Sequence, residues 1–190
     1  MRPAVFFDRD GTLIQSVHYL SRPDQVRLVP GAGAVLATLR SAGWVTVLVT
    51  NQAAIGKGII DEKELGLIHD EMSVQFAVDG GKLDGIYYSP HVQQGPGREF
   101  IEHPDRKPGP GMLTRAAREL QLDLRLSWMV GDAVTDMLAG RNAGCAATVL
   151  ITGGSQRAED EKHAAVDHVI DSVADLPALM FSLGAAGGGY

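Results

Sequence analysis

Short apolar segments alternate along the chain with longer segments in which apolar residues recur every three or four positions. The short segments predict buried β-strands, and the longer ones predict amphipathic helices. The predicted strands are residues 5–7, 44–49, 83–88, 128–130, 146–151 and 168–170. The predicted helices are residues 33–42, 61–78, 112–120, 133–142 and 173–183. Strands and helices that alternate in this way are typical of an α/β fold with a doubly wound parallel sheet.

Polar residues come directly after three of these strands. Asp8 and Asp10 follow the first strand, Thr50 follows the second, and Asp132 follows the fourth. In open α/β sheets ligands bind outside the carboxyl ends of the strands, so we expect these side chains to line one pocket. Two aspartates at positions i and i+2 can face the same side and share one cation. Taken alone, however, an Asp-x-Asp-Gly segment is more commonly a solvated turn.

Composition and charge restrict the classes of protein to which this chain can belong. Of the 190 residues 45% are apolar, which suits one domain over residues 1–183, and we expect the Gly/Ala-rich tail, 184–190, to be disordered. The net charge is −6 and Lys and Arg do not cluster, which argues against nucleic acid or a membrane as the partner. With neither a secretory leader nor a membrane anchor recognisable, we expect a cytoplasmic protein, and a monomer. The single cysteine, Cys145, is expected to be a small buried hydrophobic residue.

Lys107 lies in a Gly/Pro-rich segment, 89–110, that is longer than a simple connection. Three carboxylates at one edge of a sheet need a counter-charge. Mg²⁺ prefers oxygen ligands and keeps positions open for a substrate phosphate. A lysine, a hydroxyl and backbone N–H groups beside such a metal are what a transferring phosphoryl group requires. The pattern therefore favours Mg²⁺-dependent phosphoryl transfer.

Four segments together resemble the motifs of the haloacid dehalogenase superfamily of phosphotransferases. They are Asp8-Arg9-Asp10-Gly11-Thr12, Thr50-Asn51, Lys107-Pro108 and Gly131-Asp132-Ala133-Val134-Thr135-Asp136. Each motif is short, but the four occur in the order and spacing of the superfamily and span nearly the whole chain. The resemblance implies a Rossmann-like core. Because no long insertion separates the motifs, we expect no large cap domain.

The resemblance also implies a role for each motif residue. Asp8 would be the nucleophile that forms an aspartyl-phosphate, and Asp10 would be the general acid and then the general base. Thr50, the backbone N–H of Asn51, and Lys107 would bind the phosphoryl oxygens. The expected Mg²⁺ ligands are Asp8, the carbonyl of Asp10, and Asp132, and the residue expected to orient water or neighbouring groups behind them is Asp136.

Within the superfamily, segments 49–56, 84–91 and 106–108 resemble small phosphatases that act on heptose bisphosphates and their relatives that act on histidinol phosphate. The heptose group implies removal of the C7 phosphate of a heptose bisphosphate, in nucleotide-heptose synthesis for a bacterial surface polysaccharide. In that group Arg106 would help to bind the remaining phosphate. The expected substrate-binding residues are Ser16, His18, Tyr19, Asn51, Gln52 and Arg106.

The chain departs from these relatives at two places. The relatives often carry a structural zinc bound by three cysteines and a histidine, and the matching positions here are Ser89, His91, His103 and Asp105. His91, His103 and Asp105 could bind zinc weakly, but without thiolates we favour a loop held by packing and prolines. Ala133 stands where many relatives have a basic residue, so one phosphate or sugar contact would be missing. The histidines expected on the surface are His69, His163 and His168.

Three alternatives stay open from the sequence. The same chemistry could act on histidinol phosphate, because Arg106 does not separate the two substrates. A catalytically silent member could bind a phosphorylated ligand, although a binding module has no use for a nucleophile paired with an acid. A mutase is a further alternative, but such enzymes usually need a cap that encloses the intermediate.

Overall fold

Residues 1–95, 97–153 and 160–184 are described by the computed structural model of the chain. Within these ranges the strands form one parallel sheet of six. They are β1 (Ala4–Phe7), β2 (Val45–Asn51), β3 (Gly85–Ser89), β4 (Trp128–Gly131), β5 (Ala147–Ile151) and β6 (His168–Ile170). Their order in the sheet is β3-β2-β1-β4-β5-β6. This arrangement confirms the predicted doubly wound α/β fold.

The helices match the predicted positions, with one addition. They are α1 (Ala32–Ser41), α2 (Ala53–Gly56), α3 (Glu62–Val78), α4 (Gly111–Leu120), α5 (Val134–Ala143) and α6 (Leu176–Ser182). The sequence did not predict α2, because four residues are too few to show a helical repeat of apolar positions. The predicted helix 173–183 is divided into a 3-10 turn, Val173–Asp175, and α6.

Helices cover both faces of the sheet. On one face α1 packs against α3 and α6, and on the other α4 packs against α5. Alternate residues of β1 enter the two cores: Val5 and Phe7 face the first, and Ala4 and Phe6 face the second. Because all four side chains are buried, β1 is held from both sides and its carboxyl end is a rigid platform.

The winding direction of the sheet changes at β1, which lies between β2 and β4. At such a switch point the connections leave in opposite directions and open a crevice beyond the carboxyl ends of the strands. No cap domain is inserted in the ranges given above, so this crevice is bordered by loops. Among the helices of those ranges, none has both the length and the apolar character needed to cross a lipid bilayer. Of the tail predicted to be disordered, residues 185–190 lie outside the described residues.

Two minor predictions have different outcomes. Cys145 is buried, as predicted. His69 on α3 is also buried, with 8% of its surface exposed, so its predicted surface position is wrong. It faces the sheet near Tyr88, and their ring centroids are 6.5 Å apart. The helical repeat of α3 places His69 beside the core positions Ile68 and Met72. The polar character of histidine alone does not reveal this burial.

The burial of His69 leads to a pH-dependent stability. Burial, and then the nearby charge of Arg9, lowers the pKa of His69 from 6.5 to about 4. The unfolded chain therefore binds a proton more tightly than the folded protein, and stability falls as the pH falls from 6.5 towards 4. Between pH 7 and pH 5 this effect lowers the free energy of unfolding by about 2 kcal/mol. We expect His69→Gln to abolish this contribution, so that the variant loses about 2 kcal/mol less than the parent over this pH range in urea unfolding. His18→Gln, which replaces an exposed histidine, is the matched control, and equal pH dependence in the two variants would contradict the prediction.

Candidate active site

Asp8 and Lys107 form a buried ion pair at the carboxyl end of β1. The backbone N–H of Asp8 donates to Val130 O at 2.9 Å, which fixes Asp8 against β4. Lys107 Nζ donates to Asp8 Oδ1 at 2.5 Å and to Val49 O at 2.9 Å, and lies 2.6 Å from Asp136 Oδ1. Burial alone would lower the pKa of Lys107, but the charges of Asp136 and Asp8 outweigh it and raise the pKa. The lysine is therefore a fixed cation.

Three carboxylates form an acidic cluster around this lysine. Carboxylate oxygens of Asp8, Asp132 and Asp136 all lie within 4.8 Å of one another. Burial and the charges of the neighbouring aspartates raise the pKa of Asp132, and burial also raises that of Asp136, although Lys107 acts in the opposite direction. Lys107 offsets one of the three negative charges, so the ionised cluster has two in excess. A divalent cation with oxygen ligands fits this charge and this donor set.

Two glycines allow the acidic cluster to form. Gly11 has a positive φ of 81°, and a Cβ there would overlap the carboxylate of Asp132. A Cβ on Gly131 would lie 2.5 Å from Asp136 Cγ. Asp136 is further held by the N–H of Ala133, which donates to its Oδ2 at 3.1 Å. The absence of both side chains therefore lets the turn after β1 approach the turn after β4.

Asp10 lines the same cavity, but its carboxylate is outside the acidic cluster and pairs with Arg9. Arg9 donates to it through Nε, 3.0 Å from Oδ2, and through Nη2, 3.3 Å from Oδ1. Burial raises the pKa of Asp10 and the charge of Asp8 adds to the rise, whereas Arg9 acts in the opposite direction. Of the predicted metal residues, Asp8 and Asp132 thus belong to the cluster. The Asp10 side chain does not, and Asp136 takes part in it directly.

Thr50 and Gln52 complete the site at the end of β2. Gln52 Nε2 donates to Thr50 Oγ1 at 2.8 Å and lies 3.4 Å from Asp10 Oδ2. Because Thr50 Oγ1 accepts this bond, its own O–H remains available to donate to a ligand. The Gln52 amide, predicted to bind substrate, links Thr50 to Asp10.

The side chain of Asn51 binds the backbone of Lys107, whereas the predicted phosphoryl contact belongs to its backbone N–H and stays a prediction. Its Oδ1 accepts from the N–H of Lys107 at 3.0 Å, and its Nδ2 donates to the carbonyl of Lys107 at 3.1 Å. The carboxamide therefore holds the backbone of Lys107, whose peptide bond to Pro108 is cis. Asn51 contributes to the site mainly by fixing the lysine in place.

A cavity of about 260 Å³ joins these groups. It is lined by Asp8, Asp10, Thr50, Asn51, Lys107, Asp132, Ala133, Thr135 and Asp136. All the predicted catalytic residues and Mg²⁺ ligands are among them. Sequence reasoning did not single out Thr135, although it belongs to the fourth motif. Ala133 places a methyl group, and no basic side chain, on this wall.

The predicted substrate loop contributes unevenly. Tyr19 lines a second cavity of about 140 Å³ together with Arg9, Asp10 and Gln52. Its hydroxyl lies 2.5 Å from Nζ of Lys57, the residue that follows α2. His18 is exposed and its ring packs beside Tyr19 at 4.2 Å, and Ser16 is also exposed. Neither Ser16 nor His18 is among the residues that line this cavity.

Arg106 borders a larger cavity of about 800 Å³, formed by the long loop and Gly56. Its Nη1 donates to the carbonyl of His91 at 2.7 Å. This position next to Lys107 suits the predicted contact with a substrate.

The residues considered for zinc are not arranged as one group of ligands. The rings of His91 and His103 stack with their centroids 3.4 Å apart, and His103 Nδ1 accepts from the N–H of Asp105 at 3.1 Å. The carboxylate of Asp105 pairs instead with Arg115 at 3.4 Å. In the described part of the chain, the acidic cluster is the group of side chains with metal-ligand spacing.

Comparisons with known proteins agree with this geometry. The HAD-hydrolase-like family matches residues 105–176. A D-glycero-beta-D-manno-heptose-1,7-bisphosphate 7-phosphatase of Pasteurella multocida is 42% identical over 183 residues, covering 96% of this chain and 99% of that protein. The enzyme of the same name from Yersinia pestis is 41% identical, covering 92% and 93%.

A solved structure gives the same result. The D,D-heptose 1,7-bisphosphate phosphatase of B. bronchiseptica, crystallised with magnesium and phosphate, superposes with a TM-score of 0.83 and 30% identity. The match covers 95% of this chain and 99% of that one. The chain therefore belongs to the HAD-like hydrolase family, and it is a phosphoric monoester hydrolase that resembles the heptose-bisphosphate phosphatases.

Proposed function

We propose that the protein removes the C7 phosphate of D-glycero-β-D-manno-heptose 1,7-bisphosphate through an aspartyl-phosphate on Asp8. The observation that carries the proposal is the buried Asp8–Lys107 pair inside the acidic cluster, with Asp10 two residues further on. The substrate and its anomer follow from the relatives, whose names specify this bisphosphate and this phosphate. Nucleotide-heptose synthesis, a cytoplasmic location and a monomeric state remain predictions.

Mg²⁺ is part of the proposal. The carboxylates of Asp8 and Asp132 and the carbonyl of Asp10 would hold the ion, with Asp136 beside them. Bound Mg²⁺ would supply positive charge that offsets the charge on the phosphoryl oxygens as it develops.

The reaction proceeds through two successive displacements at phosphorus. Asp8 attacks phosphorus, and the bond between phosphorus and the C7 oxygen breaks. Asp10 donates a proton to the leaving oxygen, and later takes a proton from the water that hydrolyses the aspartyl-phosphate. Lys107 and the hydroxyl of Thr50 hold the phosphoryl oxygens in both steps. Because Lys107 is already fixed by Asp136 and Val49, it needs little reorganisation to do so.

Phosphate release from a set of substrates tests the proposed function. The set contains both anomers of the heptose 1,7-bisphosphate, fructose 1,6-bisphosphate and histidinol phosphate, each with Mg²⁺. We expect kcat/KM to favour the β anomer by more than about tenfold, which is roughly 1.4 kcal/mol in transition-state binding. Phosphorus NMR of the product should show loss of the C7 phosphate.

Three other outcomes contradict this result in different ways. A preference for histidinol phosphate would assign the protein to that substrate with the same catalytic residues. A preference for the α anomer would change the pathway. No turnover of any substrate would identify a phosphate-binding protein without activity.

Mg²⁺ binding should stabilise the protein through Asp132. At a concentration about 100-fold above its Kd, a ligand that binds only the folded state adds about 2.7 kcal/mol to the free energy of unfolding. We expect Asp132→Asn to lose most of this gain, while the metal-free variant becomes more stable than the metal-free parent because one repelling charge is gone. Thermal unfolding with EDTA and with Mg²⁺ measures both effects.

Asp70→Asn, at an exposed carboxylate on α3, is the control for the loss of one negative charge. It should respond to Mg²⁺ like the parent protein. A full Mg²⁺ response in Asp132→Asn would exclude Asp132 as a ligand.

A further inference from the structure

Arg9 is a buried cation between the two motif aspartates. Only 2% of its surface is exposed. The hydrogen bonds of its guanidinium within the described residues are the two to Asp10, and its Nη1 has no acceptor there. The carbonyl of Arg9 accepts from the N–H groups of Leu13 and Ile14, both at 3.0 Å, so the backbone that carries the guanidinium is a tight turn.

Burial of the Arg9 guanidinium disfavours folding. We therefore expect the benefit of this residue to lie in its contact with Asp10. Taking a guanidinium out of water carries a large desolvation penalty, and a single partly exposed carboxylate with one unsatisfied N–H group repays it poorly. An apolar side chain of similar volume would fill the same space without this penalty. The nearby His69 does not compete for Asp10, because its ring lies on α3 and makes no hydrogen bond to the carboxylate.

The pairing fixes the orientation of the Asp10 carboxyl group. Two donors of one rigid fork contact both oxygens, which restricts rotation about both side-chain torsions. Gln52 adds a third donor, 3.4 Å from Oδ2, and is itself anchored on Thr50. Asp10 is thus held in one orientation at the boundary between the catalytic cavity and the cavity lined by Tyr19.

We propose that Arg9 is a positioning residue that holds the Asp10 carboxyl group towards the leaving oxygen of the substrate. The inference rests on the proposed function, in which Asp10 protonates that oxygen. A sugar alkoxide is a poor leaving group and needs the proton in the transition state, whereas p-nitrophenolate leaves as a stable anion and does not. The loss of activity caused by replacing Arg9 should therefore be large for a sugar leaving group and small for p-nitrophenolate.

Arg9→Met and Arg9→Lys test the proposal with two substrates, the heptose bisphosphate and p-nitrophenyl phosphate. The parameter compared is kcat/KM, because it covers the steps up to release of the leaving group and omits hydrolysis of the aspartyl-phosphate. For Arg9→Met we expect a loss of about 100-fold with the bisphosphate and less than about threefold with p-nitrophenyl phosphate. A burst of p-nitrophenolate should appear if the later use of Asp10 as a base is also slowed.

Arg9→Lys keeps the charge without the fork and should lie between Arg9→Met and the parent enzyme. His69→Gln changes a buried neighbour that does not contact Asp10, and should leave the ratio between the two substrates unchanged. Thermal unfolding of each variant, with and without Mg²⁺, establishes that it is folded.

Equal losses with both substrates would show that Arg9 has a structural role only, and no loss with either would show that Asp10 needs no positioning. Both results overturn the proposal. The variant Asp10→Asn tests the proposed function separately. It should lose much more activity with the heptose bisphosphate than with p-nitrophenyl phosphate, as Arg9→Met does. If it does not, Asp10 is not the general acid, and the proposed role of Arg9 is also wrong.

Discussion

Replacing Asp8 with asparagine will lower kcat for phosphate release by about 10⁴-fold or more, as removal of a catalytic nucleophile does in other enzymes. The amide has nearly the same shape as the carboxylate but cannot attack phosphorus. KM should change much less, because Thr50, Lys107 and the distal substrate contacts remain. Steady-state kinetics with the heptose bisphosphate and with p-nitrophenyl phosphate measures the effect, which should be similar for both, unlike that of Arg9→Met.

The matched control for Asp8→Asn is Asp84→Asn. Asp84 is also a partly buried aspartate paired with an arginine, Arg40, but it lies just before β3, at the opposite edge of the sheet. Its substitution should leave kcat within about twofold, the size of effect expected away from the site. Residual activity of Asp8→Asn within about tenfold of the parent would exclude an aspartyl-phosphate on this residue.

Lys107→Met will destabilise the metal-free protein by about 3 kcal/mol or more at neutral pH, in addition to abolishing turnover. The methionine fills the same space but leaves Asp8 and Asp136 without their counter-charge, and Lys107 is only 3% exposed. Urea unfolding in EDTA measures the loss. It should shrink as the pH falls towards 5, because the pKa of Asp136 is already raised and a protonated carboxyl group needs no partner.

Lys82→Met removes an exposed lysine and is the control, with an expected change within about 0.5 kcal/mol. Mg²⁺ should recover part of the stability of Lys107→Met by replacing the missing positive charge. A variant that is as stable as the parent at pH 7 in EDTA would show that the three aspartates do not need the lysine.

The sheet and the catalytic groups could be predicted because they depend on local patterns. Short apolar strands followed at once by Asp8, Thr50 and Asp132 place these residues at one edge, since all strands of a parallel sheet end on the same side. The resemblance to a known superfamily then supplied roles that composition and spacing cannot give. Lys107 was singled out as a counter-charge to the aspartates from its place in the long loop, and the resemblance then assigned it to the phosphoryl oxygens.

What could not be predicted are contacts that depend on side-chain direction. Asn51 is predicted to bind the phosphoryl group through its backbone N–H, and the sequence did not reveal that its carboxamide also binds the backbone of Lys107. Asp136 was assigned an indirect role, although one turn of α5 brings it beside Asp8. Arg9 and His69 are both buried and close enough for the charge of Arg9 to act on His69, although they belong to segments far apart in the sequence. Sequence patterns describe the period of a helix, whereas these contacts depend on how separate elements meet.

The double hydrogen bond from Asn51 has a consequence for the evolution of substrate range. Asn51 is paired with Ser89 in the sheet and also binds the backbone of Lys107, so one residue fixes both ends of the connecting loop. The loop between these ends lines the cavity beside Arg106, so we expect exchanges between Pro90 and Glu102 to change substrate preference while Asn51 holds Lys107 in place. Kinetics of variants that carry the loop of another phosphatase between these two ends would test this expectation.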